Sequence, residues 1–514
     1  MMELAPTIRL DTPGLETADA VSLQSLFYRG TIEGPLGRFM LQQHFQNQTE
    51  KPLEIVYTFP LNSNMLITGF LLKVNGQTLH SEVKKLEDAQ EDYEKAIFEG
   101  NTAAYLQHHR KNIFSMNIGN LDAGEDLLVQ MNLLQLLAVH GKQMRILLPT
   151  VVGPRYIPGE AAGERTGFGW GRPTRQVPDA DWITPPVSES GVPYRISFQI
   201  EITDNQNISV IDSPSHKIRV RRSVDTTIVE SVSDDRANRD IVLNLEFDQY
   251  PTNKAWIGQS NSTSLMLYWA NHQPENVPPR APADYLFLVD KSGSMADEKL
   301  EIVKRALRLC LRKLCPGDGF NLIAFDNHYF AWQSRFYEIR EESMSDADLW
   351  IQKLRASGGT EILDALRFGL SIPADSKRQK VLVLLTDGQV GNEAEIEALL
   401  DKANEQLKVL LFGIDTAVNQ ELFERIIAKV PGFVEYIYPG EPLEAKVNLQ
   451  FERLFLPILE SIQVADNGLE IESILPEQPQ SLHPQDAIPY LMSFKGKVPE
   501  SLLFRYKLNE GDPV

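Results

Sequence analysis

The chain has 514 residues, of which 42% are hydrophobic and 23% charged, with a formal net charge of -20. These are globular values over a length that suits about three domains, each large enough for its own core. The surplus of carboxylates argues against nucleic acid and anionic membrane surfaces as partners and favours basic surfaces or cations. Two cysteines, Cys310 and Cys315, fall five positions apart on one predicted helix. That spacing puts them beyond the roughly 7 Å that a disulfide tolerates, so both read as free thiols, which leans toward a reducing compartment. The opening MMELAPTIRL has no basic region before an apolar run, and nowhere do about 18 apolar residues run together. The chain therefore reads as cytoplasmic without direct membrane insertion, and as extracellular if a leader has been removed.

Residues 1–20 carry Pro and Thr and read as a loose lead-in. From 21 to 145 a β-rich domain is predicted, with strands at Leu23 to Tyr28, Gly37 to Asn47 and Ile55 to Phe59. Ile67 to Val74 followed by Asn75-Gly76 predicts a hairpin with a type I′ turn. Leu86, Ala89, Gln90, Tyr93, Ala96 and Ile97 recur at helical spacing, and Gly100 ends that helix. Its Glu87, Glu91, Glu94 and Glu99 read as a solvated face rather than a metal array. His108 and His109 are adjacent and so do not face one site, which argues against a ligand pair. A further strand is predicted at Leu127 to Leu137.

Residues 146–192 form a Gly- and Pro-rich connector, with Trp170 and Trp182 predicted as buried anchors. From 193 to 280 short β-type runs recur at a spacing that suits a β-sandwich. Arg219, Arg221 and Arg222 read there as a solvated strand face.

The segment 281–462 is an alternation of strands and helices that specifies a doubly wound, mainly parallel sheet. Its first strand, in the stretch Ala281 to Met295, is an apolar run ending in Asp290, Lys291, Ser292, Gly293 and Ser294. Open α/β sheets place ligand sites at such carboxyl ends. A carboxylate and two hydroxyls on a tight turn are hard oxygen donors, suited to Mg²⁺ or Mn²⁺ rather than zinc. Three donors are too few for an octahedral ion. Two further loops at the same edge offer Thr360, after Ser357-Gly358-Gly359, and Asp387, after the apolar run Val381 to Leu385 and Thr386. Lys291 lies between two donors, and strand-end alternation should point it away. Ser and Asp are also ordinary helix-cap types and Asp-Gly an ordinary turn, which is the competing reading of the same residues. No GxxxxGK[ST] loop is present, so a nucleotide partner is not expected. Nor is an enzyme: no nucleophile and base pair, phosphate cradle or second metal set appears. Residues 463–514 return to strand patterns, expected to complete the sheet begun at Tyr194 and so to make the α/β domain an insertion in the sandwich.

Asp290-x-Ser292-x-Ser294, then Thr360, then Asp387 resembles the metal-ion-dependent adhesion site of von Willebrand factor type A (VWA) domains. The resemblance implies that Ser292, Ser294 and Thr360 bind the ion directly, with Asp290 and Asp387 acting directly or through water. It further implies a cofactor, Mg²⁺ or in its place Mn²⁺ or Ca²⁺, with one position open to an acidic side chain of a protein partner. Tyr57-Thr58-Phe59-Pro60-Leu61, Thr68-Gly69-Phe70, Glu94-Lys95-Ala96, Asn112-Ile113-Phe114 and Gly119-Asn120-Leu121 resemble the vault protein inter-alpha-trypsin (VIT) domain. The tandem is similar to inter-alpha-trypsin inhibitor heavy chain-like proteins. It implies an adhesion-type binding protein, or alternatively a scaffold component of a larger assembly whose metal is only stabilising.

Overall fold

The computed structural model describes residues 7–10 and 21–508, apart from 63, 75, 111, 153–154, 163–168, 185–193, 204–206, 233–234, 237, 250–253, 261–262, 272–279, 404–406, 455, 457–458, 465–469, 476–485 and 496–503. It divides into two compact units, residues 1–137 with 145–245, and residues 138–144 with 246–514.

In the first unit, Val21–Glu33 and Leu36–Asn47 pair as a long hairpin, because their apolar residues alternate along both strands. Asp126–Leu136 and Met65–Val74 extend that sheet on one side. On the other, Arg195–Thr203 runs parallel to Val21–Glu33, followed by Thr226–Ser231 and Ile218–Arg222. Three strands after Tyr194 thus join the N-terminal domain's sheet, while Ile208–Asp212 and Ile241–Phe247 form a separate sheet with Gln143–Leu148. Arg219 and Arg221 on the outermost strand both pair with Glu230. A second sheet orders Thr7–Leu10, Leu53–Pro60, Ile113–Leu121 and Ala103–Arg110. The two sheets meet through Phe45 and Tyr57, whose rings pack edge to face at 5.1 Å.

Some expectations for this unit are met and others need correction. Thr7–Leu10, inside the supposed lead-in, is an edge strand on Leu53–Pro60. Ala103–Arg110 is a strand around His108 and His109, which stack on Phe114 and Trp182 respectively. The helix Leu86–Phe98 buries none of its residues fully, and it packs on the strand Ala103–Arg110, Tyr93 against Tyr105. Asn75 of the predicted hairpin turn lies outside the described residues, while Gly76 has the positive φ of 72° that such a turn needs. Trp182 is an anchor, on a short helix Ala180–Ile183 tied down by the bidentate Arg110–Asp179 pair. Trp170 is not, being 50% exposed.

In the second unit, Lys254–Ser260, Thr263–Asn271, Ala487–Lys495 and Glu470–Leu475 form an antiparallel sheet. Ala487–Lys495 therefore pairs with the segment just before the α/β domain, with Glu470–Leu475 beside it, while Phe504–Leu508 pairs with Leu459–Val464, and none of these pairs with the strands near Tyr194 among the described residues. Between Asn271 and Glu470 the chain builds the doubly wound domain. Its sheet order is Tyr329–Ala331, Gly319–Phe325, Ala283–Asp290, Gln379–Thr386, Leu407–Ile414, Gly432–Ile437. The last five run parallel.

All eight residues of Ala283–Asp290 are buried, because both faces of this central strand are covered. Tyr285, Phe287 and Val289 face a core shared with helices Glu298–Arg312, Glu341–Lys353 and Leu443–Leu454. Leu286 and Leu288 face the other core, under helices Ile362–Ser371, Glu393–Asp401 and Gln420–Ile427. Burying each large side chain contributes about 2–3 kcal/mol, which explains why such an uninterrupted apolar run occupies the centre. From the central strand the chain moves to one neighbour, Gly319–Phe325, and later crosses to the other, Gln379–Thr386. The carboxyl end between the two halves is the topological switch point. Cys310 is buried in the first core and Cys315 is exposed, and neither is in a disulfide.

Candidate metal site

Three loops converge at this switch point. The first follows the central strand: Asp290 is fully buried, and its Oδ1 accepts the Ser292 amide at 2.8 Å, closing an Asx-type turn. That turn brings the Ser292 and Ser294 hydroxyls within 3.1 Å of each other, Ser292 buried and Ser294 exposed. The second loop is stitched to the first by two backbone bonds, Gly293 N–H to the Gly358 carbonyl at 2.9 Å and Ser357 N–H to the Lys291 carbonyl at 2.8 Å. Gly358 has φ +72°, and a Cβ there would meet Asn327 Nδ2 at 2.9 Å, so both conformation and space require glycine. Two residues on, Thr360 is 5% exposed. The third loop carries Asp387, fully buried, and Gly388 at φ +71°.

The five predicted donors are thus carried by loops at one edge, while Lys291 is turned out of it. Its ammonium pairs with Asp326, lies 3.3 Å from Ser357 Oγ and sits 4.5 Å over the Phe330 ring. Of the competing reading, the turn bonds are present at Asp290 and Asp387, but the helix caps are not. Neither Ser292 before the short Gly293–Met295 turn nor Asp297 before the next helix makes a side-chain capping bond.

The electrostatics single out Asp387. Its Oδ1 accepts the Gln389 amide at 3.1 Å, but its buried Oδ2 has no hydrogen-bond partner. Burial, then the nearby Asp290 and Asp415 carboxylates, push its pKa up to about 7. Burial also raises Asp290, against the bonds it accepts from Ser292 and Thr386. A buried carboxylate oxygen without a donor beside a second buried carboxylate is costly unless a cation serves both. The donor chemistry of the edge, two carboxylates and three hydroxyls, fits a hard divalent ion. Among the described residues no three His, Cys, Asp or Glu side chains are arranged as a metal-holding group, so the hydroxyls are essential to that fit.

Three participants were not singled out from sequence. Thr386 donates to Asp290 Oδ2 at 2.5 Å and accepts the Gly388 amide at 3.0 Å. Asp415 follows the strand Leu407–Ile414 and pairs at 2.8 Å with Lys299, from the first turn of Glu298–Arg312. Asp415 carries the same signal as the other two aspartates, a carboxylate just past an apolar run.

A doubly wound α/β domain with hydroxyls and carboxylates at its switch point, accompanied by a β-rich domain, defines the class. The family model of the von Willebrand factor type A domain matches residues 283–436, and that of the vault protein inter-alpha-trypsin domain matches residues 23–133. The chain therefore carries a VIT domain followed by a VWA domain. Among curated relatives, von Willebrand factor A domain-containing protein 5A of Rattus norvegicus is 23% identical, over 94% of this chain and 61% of its own length. Its Homo sapiens counterpart is 24% identical, over 89% and 60%. The chain thus spans about three fifths of the length of these relatives. Of solved structures, a von Willebrand factor type A protein from Catenulispora acidiphila superposes with a TM-score of 0.36 at 16% identity, over 52% of this chain and 72% of that one. VWA domains commonly serve as protein-interaction modules and are typically non-enzymatic. No described helix is long and apolar enough to cross a membrane.

Proposed function

We propose that this protein binds partners through a divalent ion, Mg²⁺ or in its place Mn²⁺ or Ca²⁺, held at the VWA switch point. Ser292, Ser294 and Thr360 would hold the ion directly, and Asp290 and Asp387 directly or through water. When bound, the ion supplies a Lewis-acidic position for an acidic side chain of a protein partner. The protein's own residues prepare that position. Thr386 and the Ser292 amide fix Asp290, the Gln389 amide fixes Asp387, and the paired backbone bonds from Gly293 and Ser357 hold the hydroxyl loops together. The observation that carries the reading is the partnerless, buried Oδ2 of Asp387. An oxygen left that way in a rigid edge is explained by a cation that completes it.

Calorimetric titration of Mg²⁺ and Mn²⁺ into chelator-stripped protein tests it. One ion per chain is expected, with affinity lowered at least about a hundredfold by Asp290→Ala and by Thr360→Ala, roughly 3 kcal/mol each. Absence of ion binding in the unaltered protein would refute the proposal and move the assignment to a metal-independent scaffold.

A further inference from the structure

Three adjacent parallel strands end in aspartates. Asp290 closes Ala283–Asp290, Asp387 follows Gln379–Thr386 and Asp415 follows Leu407–Ile414. The register aligns Val289 with Leu385 and Thr386 with Gly413, so each aspartate lies one residue beyond the level of the one before, in a staggered line across neighbouring strands spaced about 4.8 Å apart. The first two belong to the proposed ion site. The third does not: Asp415 is held by Lys299, and its Oδ1 accepts the Thr416 amide at 2.6 Å. Lys291 is spent on Asp326, and Lys299 is the lysine whose charge acts on both Asp290 and Asp387.

We infer that the Lys299–Asp415 pair is a positioning device that sets how tightly the site takes its ion. It does so through a fixed positive charge held one strand away from the ion's ligands. The inference rests on the proposed ion site. Asp415 has two effects that a simple surface ion pair would not combine. Its negative charge favours a cation at Asp387, and its tether keeps the Lys299 ammonium from reaching the partnerless Oδ2 of Asp387. A lysine reaching that oxygen would occupy the ion's place with its own charge. Lys299 in turn opposes the ion, because two positive charges at the end of one partly dry sheet repel. The side chains of Lys299 and Asp415 are only 26% and 6% exposed, so solvent screens this interplay less than it would a surface pair.

The signs of the effects make the idea testable with Mn²⁺ alone as probe. In titrations of the full chain, Lys299→Met removes the repelling charge and should tighten Mn²⁺ binding about tenfold. Asp415→Asn removes an attracting charge and frees Lys299, and should weaken binding about tenfold. The double variant restores the charge balance and should return to within about threefold of the unaltered protein, as the sum of two opposite single effects requires. Lys299→Arg, which keeps the charge, should change little. If the pair only anchors the start of the Glu298–Arg312 helix, both single variants weaken binding alike, and that result would overturn the inference. So would unchanged affinity in all four variants, or an effect of Lys299→Arg as large as that of Lys299→Met. Thermal unfolding in chelator checks that each variant is folded. Absence of Mn²⁺ binding in the unaltered protein would bring down the ion site itself, a different outcome from unchanged affinities among variants that do bind.

Discussion

The two ends of the VWA central strand both carry buried aspartates, and they are treated in opposite ways. At the amino edge, Asp284 Oδ1 accepts from Arg378 at 3.1 Å and its Oδ2 from the Asp375 amide at 2.8 Å. Asp318 beside it accepts the Ala283 amide at 2.9 Å and the Cys315 amide at 2.8 Å, and pairs with Arg280. Both carboxylates there have backbone donors and an arginine. At the carboxyl edge, Asp290 and Asp387 face each other's charge, no arginine pairs with them among the described residues, and one oxygen has no partner. Saturated carboxylates at one edge hold the fold together. The under-donated pair at the other stores unfavourable electrostatics that a cation would relieve. This is the difference the proposed ion site expects between a structural aspartate and one kept for binding, although both look alike as an Asp beside an apolar run.

The contrast can be broken most severely at the amino edge. Asp318→Ala leaves the partly buried Arg280 without its carboxylate partner and two amides without acceptors. It should lower unfolding stability by about 3 kcal/mol in urea titrations, with or without Mg²⁺. At the carboxyl edge the sign should reverse. In chelator, Asp387→Asn relieves a buried like-charge contact and should stabilise by about 1–2 kcal/mol near pH 8. In saturating Mg²⁺ the gain should disappear, because the variant forgoes the stabilisation that ligand binding gives the unaltered protein. Stabilisation in both conditions would mean that Asp387 is no ion ligand. Thr386→Val, which strips one donor from Asp290, should cost about 1 kcal/mol and weaken Mn²⁺ binding a few-fold.

The finest discrimination is by pH. Asp387 holds its proton more tightly folded, with a pKa raised to about 7 from an ordinary 3.8. The folded state therefore carries the extra proton between those values, and this group's contribution to stability declines as pH rises from about 4 to about 7. Comparing unfolding curves of the unaltered protein and Asp387→Asn in chelator across that window should isolate the slope. Mg²⁺ should flatten it, and an identical pH response in the two proteins would remove the basis for a strained site.

Much of the VWA domain was legible from sequence, because a strand buried on both faces must be an unbroken apolar run and the helices between such runs follow. That Asp290, Ser292, Ser294, Thr360 and Asp387 gather at one edge was legible for the same reason, since each sits just past such a run or a glycine turn. The Lys299–Asp415 pair was not, because it joins residues more than a hundred positions apart through a helix start and a strand end. The VIT side was harder. Ala103–Arg110 shows no apolar alternation, and every residue in it is half-buried or exposed. Thr7–Leu10 is only four residues beside proline, so its pairing with Leu53–Pro60 has no local signature. Parallel pairing of Arg195–Thr203 with Val21–Glu33 likewise depends on partners far along the chain.

The sheet that brackets the VWA domain bears on how the chain folds. Asn271 meets Ala487 across that sheet, with the entire α/β domain lying between them in sequence. Closing such a long loop as disordered chain is entropically unfavourable, and contacts this distant in sequence slow folding. If the inserted domain folds first, the loop is shortened to the distance between its two ends, and the bracketing strands then meet at little further entropic cost. The expected order is that the VWA core forms early and the strands Thr263–Asn271 and Ala487–Lys495 zip together late, which pulsed hydrogen exchange during refolding would check by protecting Ala283–Asp290 before those two strands.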